Sequence, residues 1–383
     1  DCGGTHFTPE RDVMDTWATS SLTPQLIGQI LGRSGFDGQP FEPVSLRPQA
    51  HEIIRTWAFY SIVKAHHHFG KLPWRQAAIS GWGLAPEGTG KISKSRGGGP
   101  MSPLEMIQRY SADAVRYWAA STSLGKDAII SEEKIQAGAK LVNKLWNVAR
   151  FSQSFIAGYR PPTETPPLWL ADRWILDRLA AVLARAGDRY AAYDYATVKS
   201  EVETFFWTDL ADNYLELVKK RLYEGQASEQ AAARFTLYQV LLATIRLLAP
   251  ILPHITEKIY RGLFAGDGLP GSIHAGPWPM GNGAWFDPTA AHHGQELLHI
   301  ATAVRRYKSD NNLSLGAELT HLHLATADPL LREALHSAAA DIASVTRAQT
   351  ISTAGEPKPG LTSLLSDGLI TISIDPRPVL LAD

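Results

Sequence analysis

From Trp169 to Phe264 apolar side chains return at the spacing of a helix face through several long segments in succession. Trp169–Tyr190, Tyr195–Leu222 and Glu229–Ala249 each carry an apolar stripe several turns long. The third is stopped by Pro250 and Pro253, and a fourth stripe runs from His254 to about Phe264. Consecutive amphipathic helices joined by short connections bury their stripes against one another, so this part is expected to fold as a helical bundle. Just upstream, Pro161-Pro162 and Pro166-Pro167 cannot continue a helix and read as a linker, which puts a domain boundary there.

With 383 residues the chain exceeds one ordinary core. The expected division is 1–160 as an α/β part, 161–290 as the α-helical bundle, and 291–383 as a small α+β unit. Hydrophobic residues at 44% and charged residues at 20% are those of a globular protein, and no run approaches the roughly 18 uncharged apolar residues of a membrane span. No membrane partner is therefore expected. The single cysteine, Cys2, leaves no internal disulfide framework and suggests a reducing, cytoplasmic setting. Asp1 follows neither an initiator Met nor a signal segment, so the chain reads as cut rather than processed for export.

Within the first part, HEIIRTWAFYSIVKAHHHF predicts one helix between Ala50 and about Phe69, with Pro48 as its entry signal. Trp74–Ser80 predicts a strand, which runs into a segment with glycines at 81, 83, 88, 90, 97, 98 and 99. Ser102-Pro103-Leu104-Glu105 has the cap, proline and acidic residue of a helix start, and Ser111 offers a second cap before Ala112–Ala120. Helical spacing returns at Glu132–Ala157. Beyond the bundle, Gly268–Pro288 reads as a loop, Glu296–Ser309 as a helix, and Thr320–Leu324 and Leu369–Ile374 as strands around a helical Pro329–Val345.

The sharpest chemical element is Lys91-Ile92-Ser93-Lys94-Ser95 inside the glycine-rich segment. Two lysines three apart, with two small hydroxyls on a pliable backbone, can offer ammonium and hydroxyl donors to a polyphosphate. Held tightly only in the transition state, such contacts raise the rate constant rather than ground-state affinity. The order is not that of a Walker A loop, and a soluble surface loop is the competing reading. A net charge of −1 gives no global signature of nucleic-acid binding, so any RNA site must be local. Lys140/Lys144/Arg150, Lys219-Lys220-Arg221 and Arg305-Arg306 with Lys308 are the candidates, each also compatible with a solvated helix face. His66-His67-His68 point in different directions on a helix and do not make a chelate, so no metal is expected.

KISKS resembles the KMSKS signature of class I aminoacyl-tRNA synthetases, with Ile92 in place of Met, and it has the same setting between a strand and a capped helix. Asp12-Val13-Met14-Asp15-Thr16-Trp17 resembles the DxxDTW segment of the valyl, isoleucyl and leucyl group, and His51–Trp57 the active-site segment that follows it. Ile79–Pro100 is similar to valyl enzymes of archaeal-like type. Further blocks resemble that family in order: Leu145–Phe151, Phe205–Trp207 with Tyr214–Glu216, Pro253–Glu257, Ser272–His274 with Pro277–Pro279, and Val304–Ser309.

The resemblance implies a partial Rossmann-like catalytic half followed by an anticodon-binding bundle. It further implies activation of valine by ATP with its Mg2+, through valyl-adenylate, and transfer to tRNA(Val). In that frame Lys94 and Lys91 meet the pyrophosphate leaving group, Ser93 and Ser95 support the closed loop, and Glu52 faces the ribose of ATP. Trp17, Ile53, Trp57 and Asp15 belong to the valine pocket; ordinary packing is the other reading of the first three, and capping that of Asp15. Neither a HIGH-type motif nor room for an editing domain occurs, so the family's N-terminal half is the expected partner. Two alternatives stay open: a stand-alone tRNA-binding paralogue without catalysis, and an isoleucyl or leucyl enzyme. The tRNA contacts would fall on Lys219, Lys220, Arg221, Arg305, Arg306 and Lys308.

Overall fold

The computed structural model describes residues 3–6, 8–9, 11–12, 16–35, 43–85, 102–266, 268–366 and 369–375. The chain divides into two compact units, 1–102 with 122–131, and 103–121 with 132–383.

In the first unit, helices α1 (Thr16–Ser20) and α2 (Thr23–Arg33) precede strand β1 (Val44–Ala50). The chain then tightens into a single 3-10 turn at His51–Ile53, widens into a π-type turn at Ile54–Ala58, and continues as α3 (Phe59–Phe69). Gly70 ends α3 in the left-handed region, φ 62°, which costs a residue without Cβ nothing. β2 (Trp74–Ser80) returns parallel to β1, in register from Val44↔Trp74 to Ala50↔Ser80. The strand predicted at 74–80 is therefore present. Pro48 corrects the sequence reading: it lies inside β1, paired with Ala78, and does not start a helix. A short parallel pair, β3 (Gly83–Leu84) with β4 (Ala128–Ile129), closes the unit.

The second unit opens with α4 (Pro103–Tyr110) and α5 (Ala112–Ala119), both starting where the capping residues predicted. Ser111 accepts from the Ala114 N–H at 3.3 Å while sitting at φ 86°. Next come α6 (Glu132–Ile156), α7 (Leu170–Ala191) and α8 (Tyr195–Thr204). A π-type stretch, Phe205–Tyr214, joins α8 to α9 (Leu215–Glu224), and α10 (Ala227–Leu248) and α11 (Pro253–Leu263) complete the bundle. Trp174, Ile175, Leu176, Leu179, Val182 and Leu183 of α7 are all buried. Each contributes roughly 1.5–3 kcal/mol relative to exposure. α10 is long and apolar enough to cross a membrane by length and composition, but 78% of that apolar window is buried inside the protein, as in the core helix of a bundle.

α5 is fastened to the α10–α11 corner by two charged side chains. The Asp113 carboxylate accepts from the N–H groups of His254 and Ile255 at the start of α11, and Arg116 donates to the carbonyls of Pro250 and Ile251. Both act on helix-end groups that have no partner within their own helix. α12 (Pro288–Asp310) starts eight residues before the predicted Glu296, capped by Asp287, and packs along α7 with Gly294 against Trp174.

The chain then forms β5 (Leu319–Ala325), α13 (Pro329–Ser337), α14 (Ala339–Thr346), β6 (Ala348–Ala354), β7 (Thr362–Ser366) and β8 (Thr371–Ile374). The sheet order is β6-β5-β8-β7, with β5 parallel to β6 and the other pairs antiparallel. β6 and β7 have no counterpart in the sequence reading, and the helix predicted over 329–345 is two helices.

Candidate functional site

In the first unit the carboxyl ends of β1 and β2 lie side by side, the place where open α/β sheets hold their ligands. At the end of β1 the ring of His51 lies 3.4 Å from the Ser80 carbonyl and 4.7 Å from the ring of Trp82. Gly81 is required there, because a Cβ would run into Lys126 and Asp127; the Asp127 carboxylate accepts from the Trp82 N–H at 2.8 Å. Glu52 is exposed just past β1, and Ile53 is half-buried.

Trp57, in the π-type turn, donates its indole N–H to the Ser20 carbonyl at 2.9 Å, and Lys64 donates to the Ala18 carbonyl. These bonds bring α1, which carries the half-buried Trp17, onto the segment holding Ile53 and Trp57. One face of the Trp57 indole is covered by the guanidinium of Arg47, which also lies 4.9 Å from the ring centre of Trp74. Arg47 is buried, its Nε and one terminal nitrogen have no hydrogen-bond partner, and burial pulls its pKa down to about 10. Glu52 and Ile53 therefore follow the end of β1 directly, whereas Trp57 lies against Arg47 of mid-β1, with α1 and its Trp17 hydrogen-bonded alongside. Asp15, Lys91, Ser93, Lys94 and Ser95 lie outside the described residues. Among the described residues no three His, Cys, Asp or Glu side chains gather as a metal site.

In the second unit the basic clusters separate by burial. Arg221 is 1% exposed and donates through Nε and Nη2 to Asp341 at 2.6 and 3.1 Å, and through both terminal nitrogens to Asp172 at 2.9 and 3.1 Å. Tyr214 donates to the same Asp172 at 2.7 Å. Burial pushes Asp341 up to about 7 against the opposing pull of Arg221, and the two carboxylates raise Arg221. Lys308 is also 1% exposed, its ammonium spent on the carbonyls of Leu315 and Thr346, and burial lowers its pKa. Both residues correct the sequence reading, because a side chain sealed in the interior cannot meet a phosphate. Lys219 pairs with Glu216 at 3.1 Å, Arg305 docks on Asn213 and the Asp212 carbonyl, and Arg306 and Lys220 are exposed.

Residues 2–131 match the family model described as tRNA synthetases class I (I, L, M and V), and residues 172–324 match that of the anticodon-binding domain of tRNA ligase. The valine--tRNA ligase of Anaplasma marginale is 41% identical over 318 residues, 82% of this chain and 37% of that protein. The chain belongs to the class I aminoacyl-tRNA synthetases. Its similarity to valine--tRNA ligases extends to Wolbachia from Brugia malayi, 38% identical over 96% of this chain and 43% of that protein. It reaches the archaeon Haloarcula marismortui, 36% identical over 89% of the chain and 38% of that protein. The synthetase chain thus spans about two fifths of the length of the curated relatives it matches. Among solved structures, the ternary complex LeuRS–tRNA–LeuAMS of Agrobacterium radiobacter shares the fold, with a TM-score of 0.54 at 19% identity over 73% of this chain and 34% of that one.

Proposed function

We propose that the protein carrying this chain ligates valine to its tRNA in two steps, forming valyl-adenylate from valine and ATP–Mg2+ and then charging the terminal ribose. What carries the reading is 36–41% identity to valine--tRNA ligases across both the synthetase and the anticodon-binding matches. Residues 1–160 read as part of the Rossmann-like catalytic domain with its connecting helices, 161–290 as the tRNA-binding bundle, and 291–383 as an end unit. The parallel β1–α3–β2 crossover, with Ile53 and Trp57 on the segment leaving β1 and α1 hydrogen-bonded to that segment, supports this assignment.

In the proposed mechanism the indoles of Trp17 and Trp57 and the side chain of Ile53 form a close apolar wall for a small branched side chain. Asp15 orients the amino acid, and Glu52 meets the ribose of ATP. Lys94 and Lys91 neutralise charge developing on the pyrophosphate as it leaves, with Ser93 and Ser95 supporting the closed loop; these contacts strengthen in the transition state. Surface cations, Lys219, Lys220, Arg305 and Arg306, are the remaining candidates for the RNA backbone.

Valine-dependent ATP–pyrophosphate exchange by the full-length protein tests the reading. Lys94→Ala is expected to depress the rate constant by about 10²-fold or more with little change in the KM for ATP. No exchange in the parent protein, or a variant impaired only in KM, would sink the assignment.

A further inference from the structure

Within the second unit, the starts of α7, α10 and α12 and one side of α13 enclose a cavity of about 600 Å3 that the chemistry proposed above does not use. Small-ligand pockets run from roughly 300 to 1,000 Å3. Leu170 is the first residue of α7, Ser228 the second of α10 and Thr289 the second of α12, and all three line the space. α13 adds Leu330, Glu333 and Ala334.

The first N–H groups of a helix have no partner within it and form the positive end of its dipole. One carboxylate already serves each of these ends: Asp172 accepts from the Trp169 N–H, Glu229 from that of Gln226 and Asp287 from that of Ala290. The N–H groups and hydroxyls of Ser228 and Thr289 keep no hydrogen bond among the described residues. Helix ends are common, and three of them would not by themselves define a site. His293 does. Its imidazole, in the second turn of α12, lines the cavity, is only 6% exposed and makes no hydrogen bond among the described residues. Buried polar side chains are nearly always hydrogen-bonded, so an unpartnered imidazole facing a cavity points to a ligand that completes it. Burial holds His293 below its usual pKa, with His292 and Arg173 acting in the same direction against Asp328 and Asp287. Arg173, paired with Asp287 at 3.1 Å, brings a guanidinium to the same space.

The remaining lining selects among anions. Pro167, Leu168, Trp169, Leu170, Leu330 and Ala334 are apolar, and the Trp169 ring is backed by the Arg221 guanidinium at 5.6 Å. Inorganic phosphate would leave this surface uncovered. Glu333 repels a second carboxylate and attracts an ammonium, which a fatty acid does not carry. A single small amino acid leaves most of the volume empty and forfeits its dispersion contacts. The groups together match a carboxylate, an ammonium and two apolar side chains on one short backbone.

We propose that this cavity binds a short zwitterionic peptide with apolar side chains, of dipeptide size. Its carboxylate meets His293, Arg173 and the starts of α10 and α12, its ammonium meets Glu333, and its side chains lie on Trp169 and Leu330. The site is separate from the tRNA-charging chemistry and does not depend on it.

Calorimetric titration of the full-length protein with Leu-Leu tests this, with valine and a non-hydrolysable ATP analogue saturating so that the synthetic site is closed to the probe. Leu-Leu should bind, while Leu-Leu amide and N-acetyl-Leu-Leu, each lacking one charge, should bind about tenfold more weakly. His293→Phe should weaken Leu-Leu about tenfold, and Ser228→Ala, an exposed substitution that does not threaten folding, about threefold. Both variants should charge tRNA as the parent does. Glu333→Gln should weaken Leu-Leu about threefold and leave N-acetyl-Leu-Leu unchanged. No binding of Leu-Leu to the parent at about 10 mM overturns the proposal. Parent-like affinity in both His293→Phe and Ser228→Ala overturns the location. Equal affinity for Leu-Leu and its amide overturns the carboxylate assignment, and tighter binding of Leu-Leu by Glu333→Gln overturns the ammonium assignment.

Discussion

Replacing Arg221 with methionine leaves two carboxylates, Asp172 and Asp341, 0% and 1% exposed, without their shared cation. Exposed ion pairs are worth at most about 1 kcal/mol, whereas removing one partner of a buried pair costs roughly 3–5 kcal/mol, because the stranded charge cannot recover its hydration. For a unit of this size that corresponds to a fall in Tm on the order of 5–10 °C. The pH dependence carries a sign. Asp341 titrates at about 7 in the folded protein against 3.8 for the free side chain, so the folded state binds that proton more tightly than the unfolded chain. Its contribution to stability is therefore fully present below 3.8 and lost as pH rises toward 7. Without Arg221 the opposing cation is gone, the folded value rises further, and the window extends upward. Arg221→Met should thus cost more at pH 8 than at pH 5.5, and adding Asp341→Leu should recover about half the loss by leaving only one carboxylate stranded. Thermal unfolding followed by circular dichroism at the two pH values measures this. A deficit below about 1 kcal/mol at pH 8, or one that does not shrink on acidification, refutes the account.

Two further substitutions follow from the packing. Gly294→Ala puts a Cβ into the Trp174 side chain where α12 lies on α7, and urea unfolding should show a loss of about 1–3 kcal/mol despite alanine's better helix propensity; a stabilised variant contradicts that contact. Ser111→Ala should cost about 1 kcal/mol by removing the cap on α5 while keeping the φ 86° strain. Ser111→Gly, which loses the cap but relieves the strain, should stay within about 0.5 kcal/mol of the parent, and the reverse order contradicts the geometry.

The bundle was legible because each of its helices advertises an apolar stripe within its own segment, and local capping set the starts of α4 and α5. β2 was legible for the same reason, as a short apolar run broken by glycines. β1 was not: its sequence, VSLRPQA, carries a proline and buries Arg47 and Gln49, and only pairing with β2 makes it a strand. β6, largely polar, is likewise defined by β5 beside it.

The family signatures, the periodicity of the helices and the identity of the candidate site residues were determined by sequence alone, since each depends on residues near one another along the chain. Only the tertiary structure decided what the charges do. Arg221 meets Asp172 49 residues upstream and Asp341 120 residues downstream, while its neighbour Lys220 stays in solvent beside Tyr223 and Arg347. A charge in a sequence is the same letter whether water or a carboxylate solvates it, and the choice between them is made by elements that meet only when the chain has folded.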